Sequence, residues 1–183
     1  IGKTASPGPD LHERAIQSLA DITDSPAGLL LTPGEDDQLA LAARWRWPTA
    51  EVPAVALPLS ALGHIGRDIR ILDFDAVRAS GEPLPKWLCD EPAAWAGVPL
   101  SHGDRIVGVV ILARPQIARR LDWEDFDLLR VAGQQVASYL AEQAGQDALQ
   151  DAARFEEFNR RMAFVMHDIK NLSSQIGLLA RNA

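Results

Sequence analysis

Only one cysteine, Cys89, stands in 183 residues. That excludes an intramolecular disulfide and any cysteine-rich metal site, and it suits a reducing compartment. No apolar run reaches the roughly 18 residues of a membrane-spanning helix, so nothing in this chain reads as a span. Basic residues are the minority, 18 Lys and Arg against 25 Asp and Glu, and the net charge of −7 is interrupted by no basic block. A nucleic acid or an anionic membrane surface is therefore not an expected partner. His64 and His102 sit beside glycines in loops and lack partners at ligand spacing, and no metal site is expected.

What is present is apolar substance. At 47% hydrophobic, the chain can build a globular core, and its length fits one ordinary domain plus a long helix, or two small domains. It opens on Ile1 rather than Met and stops at Ala183 inside a helical pattern. It therefore reads as a piece of a longer protein. Residues 1–9, with Gly2, Ser6, Pro7, Gly8 and Pro9, read as a linker. Gly2-Lys3-Thr4 lacks the upstream glycine and the strand of a phosphate-binding loop.

Asp10 followed by Glu13 is an N-cap signal for a helix to about Ile22, with Leu11, Ala15, Ile16 and Leu19 on one face and a break at Ser25-Pro26. Ala27 to Leu31 and Leu39 to Trp47 read as an antiparallel hairpin across the polar turn Pro33 to Asp37. A short helix is expected at Leu59 to Leu62 and an extended segment at Asp68 to Phe74. Ser80 to Pro92 reads as a Pro-interrupted connection with at most a short helix. Trp95 to Leu100 and Arg105 to Ala113 form the clearest hairpin, turned at His102-Gly103-Asp104. Asp122 then caps a helix that starts at Trp123 and turns Leu129, Val136 and Leu140 inward, within a seam of Phe126, Leu129, Gly133, Val136 and Leu140. The order implies an α+β fold, an antiparallel sheet with helices packed on one side, followed by a long C-terminal helix. Trp45, Trp47, Trp87 and Trp95 are expected in the core or at an interface, Arg119-Arg120 at the surface, and Cys89 without a neighbouring charge to activate it.

The last stretch carries the chemistry. Phe155, Phe158, Met162, Val165, Ile169, Leu172, Ile176 and Leu179 recur at strict alternating spacings of three and four, the a/d seam of a coiled coil or helical bundle. With Phe155 at a, His167 falls at f, turned to solvent, Asp168 at g and Asn171 at c. Ala163, one turn before His167, leaves room above the imidazole. A neutral imidazole attacks a phosphoryl group when a neighbouring carboxylate orients it and takes its proton, and Asp168 is placed for that. Asn171 shares the face of His167 and can hold a water or a phosphate oxygen. An exposed histidine on a helix is ordinarily just a solvated residue. The three residues together, set around an unbroken seam, are the reason to weigh the chemical reading against it.

His-Asp-x-x-Asn in this setting resembles the phosphoacceptor box of sensor histidine kinases. More narrowly, Phe155-Glu-Glu-Phe-Asn-Arg160, Ala163-Phe164, His167-Asp168-x-Lys170-Asn171-Leu172, Gln175 and Leu178-Leu179-x-x-Asn182-Ala183 resemble the PrsK-type kinases of the exosortase/PEP-CTERM system. Many such boxes carry proline at the fifth position after the histidine. Leu172 stands there, so the helix is expected to run on without a kink. Val98-Pro99-Leu100, the Gly-Asp turn, Ile106 to Val110 and the Asp122 to Leu140 helix resemble a GAF domain. The resemblances imply a sensor domain over 10–141, a signalling helix over 142–154 and the first helix of a dimerisation and phosphoacceptor domain over 155–183.

They further imply a homodimer through the C-terminal helix. His167 is the implied phosphoacceptor, Asp168 its orienting base, Asn171 the residue that assists phosphoryl transfer or hydrolysis, and a response-regulator aspartate the recipient. No cofactor is expected in the chain itself. ATP and Mg2+ belong to an ATP-binding domain expected beyond Ala183, so the chain alone would be inactive. The GAF resemblance implies a small-molecule or protein-interaction sensor of unidentified ligand; neither a cyclic-nucleotide set nor a Cys-His pair for bilin attachment is seen, since Asp90 follows Cys89. The implied setting is a cytoplasmic segment of a membrane-anchored parent. The alternative is a GAF-type binding or dimerisation module whose last helix is purely structural.

Between the two seams, Leu140, Ala144, Ala148, Ala152 and Phe155 are spaced 4,4,4,3, out of heptad phase, with Gly145 among small alanines. Sensor state is expected to pass through this break as a helix rotation or register shift, the alternative being a passive linker.

Overall fold

The computed structural model describes residues 9–62 and 70–182. The expected linker up to Gly8, His64, Gly66 and the side chain of Asp10 lie outside the described residues. The chain divides into two compact units, residues 1–141 and 142–183.

In the first unit, helix α1 (Pro9–Thr23) leads into strands β1 (Gly28–Pro33) and β2 (Gln38–Trp45). The turn between them places Asp37 in the left-handed region, and Gly34 N donates to Gln38 O at 2.9 Å. Strand β2 stops where Arg46 also takes a positive φ of 54°. Trp47, expected as the last strand residue, is instead turned into the core, 6% exposed. Then follow β3 (Leu57–Pro58), a 3-10 turn (Leu59–Leu62), β4 (Leu72–Asp73), α2 (Phe74–Ser80), α3 (Lys86–Cys89), and the long strands β5 (Ala94–His102) and β6 (Arg105–Ala113). Helix α4 runs from Trp123 to Asn182.

The six strands lie in the order β3-β2-β1-β6-β5-β4, every neighbouring pair antiparallel. The long hairpin β5–β6 thus sits beside β1 at the centre, and its apolar runs are buried on both faces. Along β6, Val110 and Leu112 join one core cluster while Val109, Ile111 and Ala113 join the other; on β1, Leu30 joins the first cluster and Leu29 and Leu31 the second. That alternation is the two-residue period of a pleated strand. The register of β5 slips between Ala94 and Ala96, which puts Trp95 on the same face as Ala96.

One face is covered by α1, through Ala15, Ile16, Leu19 and Ala20, and by the first part of α4, through Leu129, Ala137 and Leu140. Of these, the fully buried Ile16, Leu19 and Leu129 each stabilise the fold by about 1.5–3 kcal/mol. Gly133 brings α4 close to β5, because a Cβ there would stand 3.2 Å from Val98 Cγ1. Ala137 is the buried residue of that turn and Val136 flanks it, a shift of one position from the expected seam. The other face is covered by Phe74 of α2, Leu88 of α3, Trp47, Ala50 and Leu57, with Leu59 and Leu62 packed against them. The fold is α+β with a long C-terminal helix, but its helices cover both sides of the sheet rather than one. Phe74, expected at the end of an extended segment, begins α2 because the Asp73 carboxylate accepts from Ala76 N at 3.2 Å.

In the second unit the chain is helical from Glu142 to Asn182, and none of its described side chains is buried. Among the described residues no helix is long and apolar enough to cross a membrane.

Candidate functional site

In the first unit, polar side chains are spent on holding connections. Arg78 donates to the carbonyls of Leu88, Glu91 and Ala94 at 2.8–3.2 Å, tying α2 to the segment between α3 and β5. Asp75 takes both terminal nitrogens of Arg114 at 2.6 Å and one of Arg78 at 3.2 Å. The Arg114 hydrogen bonds hold its carboxyl below the ordinary value. Arg119, expected at the surface, is half-buried and bidentate on Asp125 at 2.7 and 2.8 Å, with its guanidinium over the Trp95 ring. Asp122 and Asp125 exchange backbone-to-carboxylate bonds at 2.9 and 3.0 Å, a reciprocal cap on the first turn of α4. None of these groups is poised for chemistry, since each is saturated by its neighbours. Cys89 and His102 are exposed. Trp87 is tied through Nε1 to the Ala56 carbonyl at 2.6 Å and lines an open cleft of about 1050 Å³ with Arg44, Glu51, Lys86 and Asp90.

In the second unit the helix brings the three expected residues together. Asp168 Oδ1 stands 3.9 Å from His167 Nδ1, and Asn171 Nδ2 stands 3.5 Å from the same nitrogen. Both polar neighbours thus address Nδ1. Asn171 Nδ2 can only donate, so it meets Nδ1 in the tautomer protonated on Nε2, whereas the Asp168 carboxylate favours the other tautomer, with the proton on Nδ1 and the Nε2 lone pair free. The site is open, with His167 and Asp168 side chains 72% and 64% exposed. All eight seam residues are exposed as well, from 43% at Met162 to 72% at Leu179. Sequence reasoning named Phe164 and Leu178 only as part of the kinase resemblance and gave them no place on the helix; they are 69% and 58% exposed at c positions away from the seam. The signal for them was in the same register, which leaves both without a place in any a/d core.

A GAF domain family model matches residues 10–140. No curated protein matches the chain. Similar solved structures include the second GAF domain of DevS from Mycobacterium smegmatis, at 20% identity and a TM-score of 0.55, covering 78% of this chain and 99% of that one. The GAF domain/HD domain protein from Geobacter sulfurreducens is similar at 15% identity and 0.57, covering 79% and 97%. A domain ascribed to a two-component sensor histidine kinase protein from Sinorhizobium meliloti is similar at 10% identity and 0.59, covering 80% and 99%. At these identities the likeness is one of fold.

Proposed function

Because the chain belongs to the GAF domain family through residues 10–140, we propose that it is the sensor and phosphoacceptor portion of a two-component histidine kinase, of the exosortase-linked type that its last helix resembles. The observation that carries this reading is that Asp168 and Asn171 both stand on the Nδ1 side of His167, at 3.9 and 3.5 Å, with the imidazole 72% exposed at a position opposite the seam. Nε2 attacks the γ-phosphorus of ATP presented by an ATP-binding domain of the parent protein. The P–N bond forms as the bond to the β–γ bridging oxygen breaks, ADP departs, and the Nδ1 proton passes to Asp168. Mg2+ accompanies the nucleotide on that domain. Asn171 holds a phosphoryl oxygen or a hydrolytic water. An aspartate of a response regulator then takes the group.

The functional state is a homodimer through the seam. Its eight side chains are each 43% to 72% exposed in the single chain, an apolar stripe for a second copy to cover. A small ligand of the sensor unit enters at the open cleft beside Trp87. The parent is membrane-anchored with this segment on the cytoplasmic side.

His167→Gln tests the assignment. With ATP and the ATP-binding domain supplied in trans, the wild-type chain should gain an acid-labile phosphoryl group and the variant none; equal labelling would remove His167 from the mechanism. A second reading, a GAF module whose last helix only dimerises, draws on the 3.9 Å separation of Asp168 from His167, too long for a hydrogen bond. Under that reading neither chain is labelled, and both remain dimers.

A further inference from the structure

Arg78, Arg114 and Arg119 of the first unit each reach a carboxylate, that of Asp75 or Asp125. Arg44, half-buried on β2, has no acid paired with it among the described residues. Its Nη1 donates to the carbonyl of Trp47 at 3.2 Å and to that of Ala50. Nε and Nη2, which share the other edge of the guanidinium plane, have no acceptor among the described residues. A half-buried charge answered only by neutral carbonyls is an unfavourable arrangement. The free edge offers two parallel N–H donors at the spacing of the two oxygens of a carboxylate.

Arg44 lines the cleft of about 1050 Å³ beside Trp87, whose walls are set before anything enters. The loop after β2 is held near its start by the Arg44 bonds to Trp47 and Ala50, and at its end by Ala56 N on the Leu39 carbonyl at 2.8 Å. The bond from Trp87 Nε1 to the Ala56 carbonyl fixes the plane of the indole. Val52 and Val55 add apolar surface, and the Val55 side chain stands in water, 52% exposed. The charged lining is two cations, Arg44 and Lys86, against two acids, Glu51 and Asp90, with the last three exposed. The cleft thus has no net positive field with which to hold a phosphate ester. One carboxylate set against one guanidinium is the anion that it matches.

We propose that this cleft takes a monocarboxylate with a flat apolar body, the carboxylate on the Nε–Nη2 edge of Arg44 and the body against Trp87, Val52 and Val55. The inference rests on the reading of the cleft as the ligand site of the sensor unit and adds the chemical class. The ligand supplies the acid that Arg44 lacks and covers apolar surface that the fold leaves wet. Glu51 and Asp90 at the rim turn away more highly charged anions by repulsion.

The test compares three probes that share one bicyclic body: naphthoate, the neutral naphthamide and the dianionic naphthyl phosphate. Calorimetric titration of the chain should find naphthoate binding at least about tenfold more tightly than either of the others. Arg44→Gln removes the charge, and Val55→Asp sets a new acid at an exposed position that the fold tolerates. Each should weaken naphthoate at least about tenfold, with melting and circular dichroism confirming that the variants are folded. Naphthamide or naphthyl phosphate bound as tightly as naphthoate, and lost in Val55→Asp, would keep the cleft as a ligand site and overturn the carboxylate class. No probe bound by the wild-type chain, or naphthoate bound equally by the wild type and both variants, would overturn the cleft as a ligand site and the inference with it. Phosphorylation of His167 enters none of these measurements, so the histidine assignment stands or falls apart from them.

Discussion

Arg119 sets its two terminal nitrogens on the two oxygens of Asp125, at 2.7 and 2.8 Å, while its guanidinium lies over the ring of Trp95. The first turn of α4 is thereby fixed to the core of the sheet that it covers. The Arg119 hydrogen bonds hold the Asp125 carboxyl below its ordinary 3.8. A carboxyl depressed in the folded state stabilises at all pH values above its unfolded value, and that stabilisation is lost as pH falls through the folded one. Asp125→Asn should cost about 2 kcal/mol at neutral pH. Urea titrations should find the gap to wild type closing as pH falls below 3.8; a gap constant with pH would mean that charge is not what the pair contributes.

Arg78 is tied to three main-chain carbonyls rather than to a ligand. Arg78→Ala leaves the Leu88, Glu91 and Ala94 oxygens without that donor. The expected loss is about 2–3 kcal/mol, with faster hydrogen exchange concentrated in residues 86–94. Uniform acceleration across the sheet would point to global destabilisation instead.

Gly108 lies under β1, and a Cβ there would stand 2.8 Å from the Leu31 carbonyl oxygen. Backbone cannot swing aside as a side-chain end can. Gly108→Ala should therefore destabilise by about 1–3 kcal/mol despite the conservative change, measurable as a lower melting temperature.

Ile176 is a seam residue two turns beyond the histidine box and 60% exposed in the single chain. Ile176→Asp places a charge in the proposed dimer core. Sedimentation should show the dimer weakened by about tenfold or more in Kd, and helix content should fall with it, since an isolated helix of this kind is marginal in water. An unchanged association constant would move the interface elsewhere.

Deleting Gln146 shifts the heptad frame of the histidine box by one residue against everything before it. If sensor state passes through the 4,4,4,3 segment as a phase change, His167 phosphorylation by the ATP-binding domain should change several-fold in the deletion. Rates equal to wild type would make the segment a passive linker.

The legible parts of this chain were those in which several local signals agree. The β5–β6 hairpin announced itself through an apolar run on each side of a Gly-Asp turn, and Gly103 does adopt a positive φ of 60°. The start of α4 was legible in Asp122, although Asp125 closes the reciprocal cap and Arg119 joins it from a stretch read as surface. Helix α2 was missed although both of its ends were written down, with Asp73 as N-cap and Gly81 in the left-handed conformation as C-cap. Seven residues are too few for an apolar period to show. Strands β3 and β4, two residues each, exist only because a neighbouring strand offers its edge. Long-range bonds such as Arg78 to Ala94, sixteen residues apart, leave no local trace. The mutual placement of His167, Asp168 and Asn171 was legible because it is local: f, g and c of a single helix are fixed by counting.

A sheet with apolar residues on both faces gives up the usual means of fixing strand alignment. Where one face is wet, a slip of one residue drives polar groups inward and is rejected at once. Moving Val109, Ile111 and Ala113 to the places of Val110 and Leu112 would exchange hydrocarbon for hydrocarbon. Alignment must then be set by volume, through notches such as Gly108 beneath the Leu31 carbonyl and Gly28 against Ile16, and through the extra residue at Trp95. Filling a notch should therefore produce mixed strand alignments and slow, heterogeneous refolding, an error of pairing as much as a loss of stability.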